Sequence, residues 1–292
     1  MNKIEGFSYA KINLFFEVLY KREDGYHEVR TIMNTIDIKD KIVISKDKRD
    51  SLKVINKTED PTSKIPDDKT NIVYKALELF REYTNIKNKY SIILEKNIPS
   101  GAGLGGGSSN AANFLLLLNR LEGNPLNFEE LLSIGENLGS DVNFFFYGGS
   151  AICLSKGEVV EPIPLIKIEE YMYVVKPYLH ISTKDAYGNL KKVLTLPRKN
   201  TKFNYFLNLD YRLDRSLDLS NIYNCFEEVI YDLNPELGKF KIELENIDGV
   251  KKVWLTGSGA ALVVLSDKEI IWKNYLNNLS LEYKVYKTRL IN

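Results

Sequence analysis

Cysteine and histidine are almost missing from this chain of 292 residues. The two cysteines, Cys153 and Cys225, are too few for a disulfide framework and suit a reducing compartment. Only two histidines, His27 and His180, are present, so a zinc site has almost nothing from which to be built. The composition therefore excludes disulfide-rich secreted folds and disfavours zinc-dependent chemistry.

An excess of charge of either sign is also lacking. Forty Lys and Arg residues oppose 39 Asp and Glu residues, which leaves a formal net charge of +1. Without a global positive field, a general nucleic-acid binder is disfavoured. The hydrophobic share of 44% and the charged share of 27% are ordinary for a globular chain, which excludes wholesale disorder.

Long apolar segments are missing as well. The first apolar stretch is interrupted by Lys11, Asn13 and Glu17, and no signal-peptide core or cleavage site follows it. The longest uncharged run, 98–119, is half Gly, Ser and Asn, and it would enter a bilayer with unpaired backbone. We therefore expect a cytoplasmic protein without membrane or nucleic-acid partners.

Hydrophobic periodicity predicts a mixture of strands and helices along the chain. Predicted strands lie at 10–18, 26–36, 42–44, 52–55, 90–94, 151–154 and 171–175, and a hairpin joins 253–255 to 261–265. Predicted helices lie at 72–83, 110–119, 129–138, 221–233 and 235–247; a short one begins at Ser182 or Thr183, and a helix and a strand close the chain. A composition change at 156–164 predicts two domains, 1–158 and 159–292.

Glycine is concentrated in one segment. Five of the seven residues at 101–107 are glycine, and Ser108 and Ser109 follow as candidate caps of an uncharged, almost wholly apolar helix. Glycines let the backbone approach a ligand closely, while a helix N-terminus presents free N–H groups and the positive end of its dipole. The segment, called the glycine loop below (99–109), predicts an anion site, most often for phosphate, more than a plain flexible turn.

The glycine loop does not fit the common phosphate-binding motifs. Gly101, Gly103 and Gly106 match G-x-G-x-x-G, but a second helix follows where a Rossmann unit needs a strand ending in an acidic residue. No lysine follows the last glycine, as a P-loop requires, and the protein-kinase motifs are absent. With these three motifs excluded, the glycine loop is interpreted as a nucleotide-binding loop of another type.

The glycine loop, PSGAGLGGGSS, resembles the signature loop of the GHMP kinases. The further segments AKINL at 10–14, DGYH at 24–27, GSDV at 139–142 and LTGSG at 255–259 occur in the order seen in the 4-diphosphocytidyl-2-C-methyl-D-erythritol kinases of that superfamily. The resemblance covers about residues 8–265. It implies an α+β fold with an N-terminal ribosomal S5 domain 2-like domain, a C-terminal ferredoxin-like domain and an active site between them.

The resemblance also implies an activity. Members of that family phosphorylate the 2-hydroxyl of the methylerythritol moiety with ATP, in the non-mevalonate route to isoprenoid precursors. Two residues match the family's catalytic pair: Asp141 as the base and Lys11 as the cation beside it. From the residues alone, Asp141 is more typical of an N-cap for a short turn over 142–146, and a lone lysine on a strand usually faces solvent.

Substrate contacts follow from the same resemblance. Asn13, two residues after Lys11 on the same strand face, matches a substrate contact. Tyr26 and His27 match the residues that stack on and read cytosine, and a neutral imidazole has the donor and the acceptor that this needs. Tyr187 matches the second aromatic of that sandwich. His180 is interpreted as structural. The resemblance places four further residues beside the active site: Thr183, Gly257, Ser258 and Gly259.

The implied cofactors are ATP and Mg²⁺. We expect Lys96 to act through its backbone beside the adenine and Mg²⁺ to be held mainly by the phosphates with Ser108, because no paired carboxylates indicate a metal site of the protein's own. The residues expected around ATP are Asn71, Lys96, Pro99, Ser100, Gly101, Ala102, Gly103, Leu104, Gly105, Gly106, Gly107, Ser108 and Ser109.

Three departures from the family pattern remove no group that the chemistry needs, and two alternative functions stay open. Asn143 replaces the usual proline after Asp-Val, Cys225 interrupts an Asn-Asp-x-Glu pattern, and Ala260 and Ala261 follow the last glycine motif. The alternatives are a GHMP kinase for another small alcohol, of the homoserine or mevalonate type, and a catalytically silent nucleotide-binding regulator. Either a monomer or a homodimer is compatible with the sequence.

Overall fold

The computed structural model describes residues 1–190, 201–209, 217–275 and 278–292. Its strands are β1 (Lys3–Lys21), β2 (His27–Asp47), β3 (Ser51–Asn56), β4 (Lys89–Lys96), β5 (Ser150–Ser155), β6 (Val159–Ile163), β7 (Tyr171–Pro177), β8 (Tyr223–Asn224), β9 (Val250–Leu255), β10 (Leu262–Ser266) and β11 (Tyr283–Thr288). Its helices are α1 (Ile72–Thr84), α2 (Gly106–Leu121), α3 (Phe128–Leu138), α4 (Phe144–Tyr147), α5 (Thr183–Asn189), α6 (Thr201–Leu207), α7 (Phe226–Leu233) and α8 (Pro235–Glu245).

The first sheet has seven strands and is built around the long antiparallel pair β1–β2. Its main order is β3-β4-β2-β1-β8, and the β5–β6 hairpin pairs with β2. The alternating apolar residues of β1 predicted its strand, but residues 10–18 are buried on both faces, including Lys11 at 2% exposure. Lys11, which its place on a strand alone would direct to solvent, is therefore inside the molecule.

Helices α1, α2 and α3 cover one part of the first sheet. Helix α2 is apolar on nearly every side, and it packs between its neighbours with Phe114, Leu115 and Leu118 fully buried. This burial confirms the prediction of an internal helix made from the uncharged run that follows the glycine loop. Helix α3 begins with a capping box between Asn127 and Glu130, which satisfies two of its free backbone donors.

The second sheet has four antiparallel strands in the order β11-β7-β10-β9. It is not separate from the first: β8 pairs in parallel with β1, and Ile291 donates a backbone hydrogen bond to Thr35 O of β2. Apolar side chains of β1, β7 and β10 share one core cluster. The α+β class is confirmed. The division at 158/159 stays a proposal, and it falls inside the β5–β6 hairpin.

Four element predictions need correction. The strands expected at 26–36 and 42–44 are one continuous strand, β2. Helix α2 begins at Gly106, so Ser108 and Ser109 lie in its first turn and Gly105 occupies the cap position. The helix expected at 221–233 begins only at Phe226, because 223–224 pair with β1. The predicted closing helix is a 3₁₀ turn at Trp272–Asn274.

A membrane-spanning helix is not found among the described residues, since none of their helices combines the necessary length with the necessary apolar character.

Candidate active site

A cavity of about 1020 Å³ opens between the glycine loop, the start of β2 and helix α5. This volume is at the upper end of the range for small-molecule sites, which leaves room for two ligands side by side. All but two of the predicted site residues line it. Those on its wall are Lys11, Tyr26, His27, Asn71, Lys96, residues 99–108, Asp141, Thr183, Tyr187, Gly257, Ser258 and Gly259.

Charge is distributed unevenly around the cavity. Its wall includes six lysines: Lys11, Lys21, Lys64, Lys96, Lys156 and Lys184. Among the described lining residues Asp141 is the one carboxylate. A concave, cationic wall concentrates field lines on anions, so this cavity is suited to ligands with phosphate groups although the chain as a whole is neutral.

The glycine loop reaches the cavity because its backbone folds in ways that side chains would prevent. Gly103 has φ +75°, and a Cβ atom there would lie 2.0 Å from the backbone oxygen of Thr256. Gly105 has φ +67°, and a Cβ atom there would lie 2.8 Å from the ring of Phe145. The loop is therefore packed directly against the 256–259 turn, and Ala261 N donates a hydrogen bond to Ala102 O across this contact.

Free backbone donors line the cavity where α2 begins. The N–H groups of Gly106, Gly107 and Ser108 come before the first intrahelical hydrogen bond, which Ser109 N donates to Gly105 O at 2.9 Å. These donors and the helix dipole form an anion site at the wall. Ser109 is 2% exposed and does not line the cavity, which corrects its predicted place around ATP.

Substitution of Gly103 by alanine is expected to destabilise the fold. The added Cβ meets Thr256 O at a positive φ, so strain and overpacking should lower the free energy of unfolding by at least about 2 kcal/mol. Gly107→Ala is the matched control, because its Cβ meets nothing closer than 3.9 Å. Urea unfolding should show the control unchanged or up to about 1 kcal/mol more stable. Equal losses in both variants would contradict the contact.

Lys11 and Asp141 meet at the centre of the cavity. Lys11 Nζ lies 3.5 Å from Asp141 Oδ2 and donates a hydrogen bond of 2.6 Å to Asn13 Oδ1. The Asp141 side chain keeps 30% of its surface exposed, whereas that of Lys11 keeps 3%. The backbone N–H of Lys11 also donates to Leu104 O at 3.0 Å, so a hydrogen bond at Lys11 itself joins β1 to the glycine loop.

Asp141 is not the N-cap that its local sequence indicates. Asn143 occupies the cap position of α4, and Asp141 lies in the turn that Val142 N closes onto Gly139 O at 3.1 Å. The carboxylate is thus displayed toward the cavity by a tight turn between two helices. With Lys11 beside it, it can accept a proton from a hydroxyl group placed between the two side chains.

Asn13 has a different place from the one predicted. It is 1% exposed and does not line the cavity. Its Nδ2 donates to Thr31 Oγ1 at 2.7 Å, its backbone N–H donates to Thr256 Oγ1 at 3.0 Å, and its Oδ1 accepts from Lys11. Two of these bonds involve the side chain, so Asn13 orients Lys11 from behind the cavity wall.

Aromatic rings form the far end of the cavity. The His27 and Tyr187 rings have centroids 5.0 Å apart and planes 36° from parallel, and Tyr187 packs edge-on against Phe226 at 4.8 Å. Tyr26 is 57% exposed beside them, with Lys156 Nζ 5.1 Å from its ring centre. Burial, with a smaller contribution from Lys21, lowers the pKa of His27, which favours the neutral form of its imidazole.

A buried polar cluster supports the other end. The ammonium group of Lys96 pairs with Asp40 and donates to Asn110 Oδ1 at 2.8 Å, while Asp40 Oδ1 accepts from the backbone of Asn97 and Ile98. The Lys96 carbonyl accepts from Lys57 N at 2.7 Å. Asn71 caps α1 by accepting from Val73 N. The cluster fixes the chain as it enters the glycine loop.

Sequence reasoning missed several residues of this site. Lys156 lies in the segment interpreted only as a domain boundary, and Asp40 and Asn110 had no local signal because they meet across the sheet. Asn224, the residue before Cys225, supports the 256–259 turn, because its Nδ2 donates to Leu255 O and Gly257 O.

Two residues that were predicted, Thr183 and Ser258, close the wall between α5 and that turn, with Thr183 Oγ1 2.9 Å from Ser258 Oγ.

The departures from the family pattern leave these contacts in place. Asn143 is 2% exposed, its Nδ2 donates to Glu158 O at 3.3 Å, and its Oδ1 sits against Gly135, where a Cβ would be 2.1 Å away. Cys225 is buried, and its backbone N–H donates to Phe16 O at 3.0 Å. His180 packs its ring over Gly101, in keeping with a structural role.

A metal site built by the protein alone is not found among the described residues, which contain no cluster of three His, Cys, Asp or Glu side chains. Magnesium in nucleotide sites keeps several water ligands and takes most others from phosphate oxygens, with one or two from the protein. The hydroxyl of Ser108 at the first turn of α2 and the carboxylate of Asp141 both line the cavity, and they fit that reduced donor set.

A family model, sequence relatives and solved structures all indicate the same family. A family model described as the GHMP kinases N terminal domain matches residues 71–149. The 4-diphosphocytidyl-2-C-methyl-D-erythritol kinases of Bacillus cereus (strain B4264) and Bacillus mycoides (strain KBAB4) are each 36% identical over 286 residues, which cover 97% of this chain and 95% of the relative.

Solved structures agree with the sequence relatives. A crystal structure of 4-(cytidine 5'-diphospho)-2C-methyl-D-erythritol kinase superposes with a TM-score of 0.74 at 27% identity and covers 99% of this chain and 100% of that one. A mevalonate kinase of Methanococcus jannaschii, at 17% identity, shares the fold with a TM-score of 0.71, covering 99% of this chain and 98% of that one. The chain belongs to the 4-diphosphocytidyl-2-C-methyl-D-erythritol kinase family of the GHMP kinases.

Proposed function

We propose that Asp141 and Lys11 perform the reaction of this ATP-dependent kinase, the phosphorylation of the 2-hydroxyl of 4-diphosphocytidyl-2-C-methyl-D-erythritol. One observation carries the proposal: the pair lies in a single cavity between a phosphate-binding helix start and an aromatic pair. ATP occupies the glycine-loop end, and the cytidyl substrate occupies the His27 end. The reacting hydroxyl then meets the γ-phosphate beside Asp141.

The ATP end uses backbone groups more than side chains. The free N–H groups at the start of α2 bind phosphate oxygens, and Asn71 and the backbone near Lys96 border the adenine. Ser108 and Asp141 are the residues that would hold Mg²⁺ together with the phosphates. The bound ion would offset the negative charge of the triphosphate as it is transferred.

The cytidyl end uses rings and a neutral imidazole. His27 has one donor and one acceptor, enough to read the edge of cytosine, and Tyr187, whose ring packs on that of His27 at 5.0 Å, holds the imidazole in place. Lys156 and Lys21 lie on the same wall and offset the charge of the substrate's diphosphate.

The chemistry itself requires a proton acceptor and aligned reactants. As the oxygen–phosphorus bond from the 2-hydroxyl forms, its proton passes to an Asp141 oxygen, and the bond between the γ-phosphorus and the bridging oxygen breaks to release ADP. Lys11 stabilises the developing negative charge on the attacking oxygen and the transferred group, and Asn13 fixes its direction. Positioning supplies much of the acceleration.

Acceptor selectivity tests this function. ADP release by the purified protein with Mg-ATP should depend on 4-diphosphocytidyl-2-C-methyl-D-erythritol, with homoserine and mevalonate no better than no acceptor. The reason is that neither small alcohol has a base for the His27–Tyr187 pair to bind. Turnover on another alcohol alone would contradict the substrate, and ATP binding without turnover on any acceptor would indicate a silent regulator.

A cytoplasmic location is part of the same proposal. The chain has only two cysteines and both are buried, which suits a reducing compartment where ATP is abundant.

A further inference from the structure

A second buried ion pair lies outside the catalytic pair. Lys176 of β7 is 0% exposed and Asp60 is 4% exposed, with Nζ 3.3 Å from Oδ2. Burial lowers the pKa of Lys176, and Asp60 opposes that shift. Removing two charges from water costs free energy that their attraction recovers only with good geometry and further hydrogen bonds. The pair therefore contributes more through the geometry it imposes than through net stability.

Lys176 joins segments that are far apart in the sequence. Its ammonium group donates to Pro177 O at 2.7 Å and to Leu179 O at 2.9 Å, and it lies 3.4 Å from Thr62 Oγ1. The first two bonds shape the turn after β7, which leads into α5 and so to the cavity residues Thr183 and Tyr187. The third reaches the loop at 57–70, called the adenine-side loop below.

The adenine-side loop carries this constraint to the glycine loop. Asp60 Oδ1 accepts from the backbone N–H and the hydroxyl of Thr62, at 2.8 and 2.7 Å. Ser63 N donates to Asp60 O at 3.1 Å, and Ser63 Oγ accepts from Ser100 N at 3.0 Å. Three consecutive links thus connect Lys176 with the backbone of the glycine loop, and the residues at 64–66 line the cavity directly after them.

We propose that Lys176 is a positioning residue for ATP, which holds the adenine-side loop and the glycine loop at a fixed separation through Asp60 and Ser63. The inference rests on the proposed placement of ATP at this end of the cavity. A loop that is already ordered binds its ligand with its full intrinsic affinity. A loop that is in the binding-competent state only part of the time binds more weakly, because the apparent dissociation constant is the intrinsic one divided by the competent fraction. Loss of Lys176 should therefore weaken ATP binding more than acceptor binding, because its bonds to Pro177 O and Leu179 O reach the acceptor side only through the turn before α5.

The chain offers a matched control on the same loop. Lys284 of β11 pairs with Glu59, next to Asp60, but the two side chains are 36% and 72% exposed. Exposed pairs contribute little because water screens them. Lys284→Met changes the net charge and one ion pair of the adenine-side loop just as Lys176→Met does, and it leaves the link to Ser63 intact.

Steady-state kinetics of the full-length protein test the proposal. Lys176→Met should raise the KM for ATP by about tenfold and the KM for the cytidyl acceptor by clearly less than that, with kcat changed by less than about twofold. Lys284→Met should leave all three within that range. An equal rise of both KM values, or an unchanged KM for ATP in a folded Lys176→Met protein, would overturn the assignment.

A second variant covers the possibility that Lys176→Met fails to fold. Ser63→Ala removes the acceptor of Ser100 N and leaves the ion pair in place, so it should raise the dissociation constant for ADP by a few-fold in calorimetric titration. An unchanged constant would overturn the proposal. Calorimetry on the parent protein distinguishes failure of the Lys176 proposal from failure of the proposed function. If the parent binds no ADP, the ATP site itself is misplaced and both proposals fail.

Discussion

Asp141→Asn should lower kcat by about 10²–10⁴-fold, the usual contribution of a positioned proton acceptor. The amide cannot accept the proton of the substrate hydroxyl, although it occupies the same volume. Binding should change little, because the glycine loop and the aromatic pair are untouched. Initial rates with both substrates saturating would measure kcat, and calorimetric titration with ADP would verify that the nucleotide site is intact.

Asp185→Asn is the matched control for this variant. Asp185 lies in the first turn of α5 at the edge of the site, is exposed and does not line the cavity. Its substitution by asparagine removes the same charge near the same site. This variant should keep kcat within about twofold of the parental value, since exposed charges interact weakly through water. An Asp141→Asn protein that kept more than about a tenth of parental kcat would refute Asp141 as the base.

Lys11→Met should lower kcat by about 10²–10³-fold, in the range of other lost donors to developing charge. Methionine fills the buried space between β1 and the glycine loop, and Asn13 keeps its bonds to Thr31 and Thr256. The fold is therefore expected to survive, which circular dichroism would verify. Single-turnover phosphoryl transfer measures the effect on the chemical step apart from product release.

Lys39→Met provides the charge-matched control. Lys39 lies on β2 with its side chain 41% exposed, and its ion pair with Asp37 is at the surface. Its substitution should leave kcat unchanged. Because Lys11 and Asp141 act on the same hydroxyl, the double variant with Asp141→Asn should lose about as much as the worse single variant. Fully multiplicative losses would show that the two side chains act independently.

Local sequence signals were sufficient for a large part of this structure. The glycine-rich run and the apolar helix after it indicated a phosphate site because both effects, backbone freedom and helix burial, act within a few residues. Alternation over 10–18 indicated β1, and Ser182 correctly indicated the cap of α5. The resemblance supplied the catalytic roles, since an aspartate before a short turn is more typical of a cap.

Contacts between distant segments were beyond that reasoning. Asn13 was expected to face substrate, yet Thr256, 243 residues away in the sequence, accepts its backbone N–H and helps to turn it inward. The start of α7 was predicted five residues too early, because pairing of β8 with β1 overrides the helical pattern at 221–225. The error at α7 has a clear physical origin: non-local strand pairing outweighed a weak local preference for helix.

The parallel pairing of β8 with β1 also bears on how the chain is made. The β8 partners of Phe15 and Phe16, Tyr223 and Asn224, leave the ribosome about 200 residues after them. At ordinary rates of synthesis, roughly 10–40 s pass between the two events. For that time one edge of β1 has no strand beside it, and the nascent chain carries an open, apolar sheet edge of the kind that other chains can join.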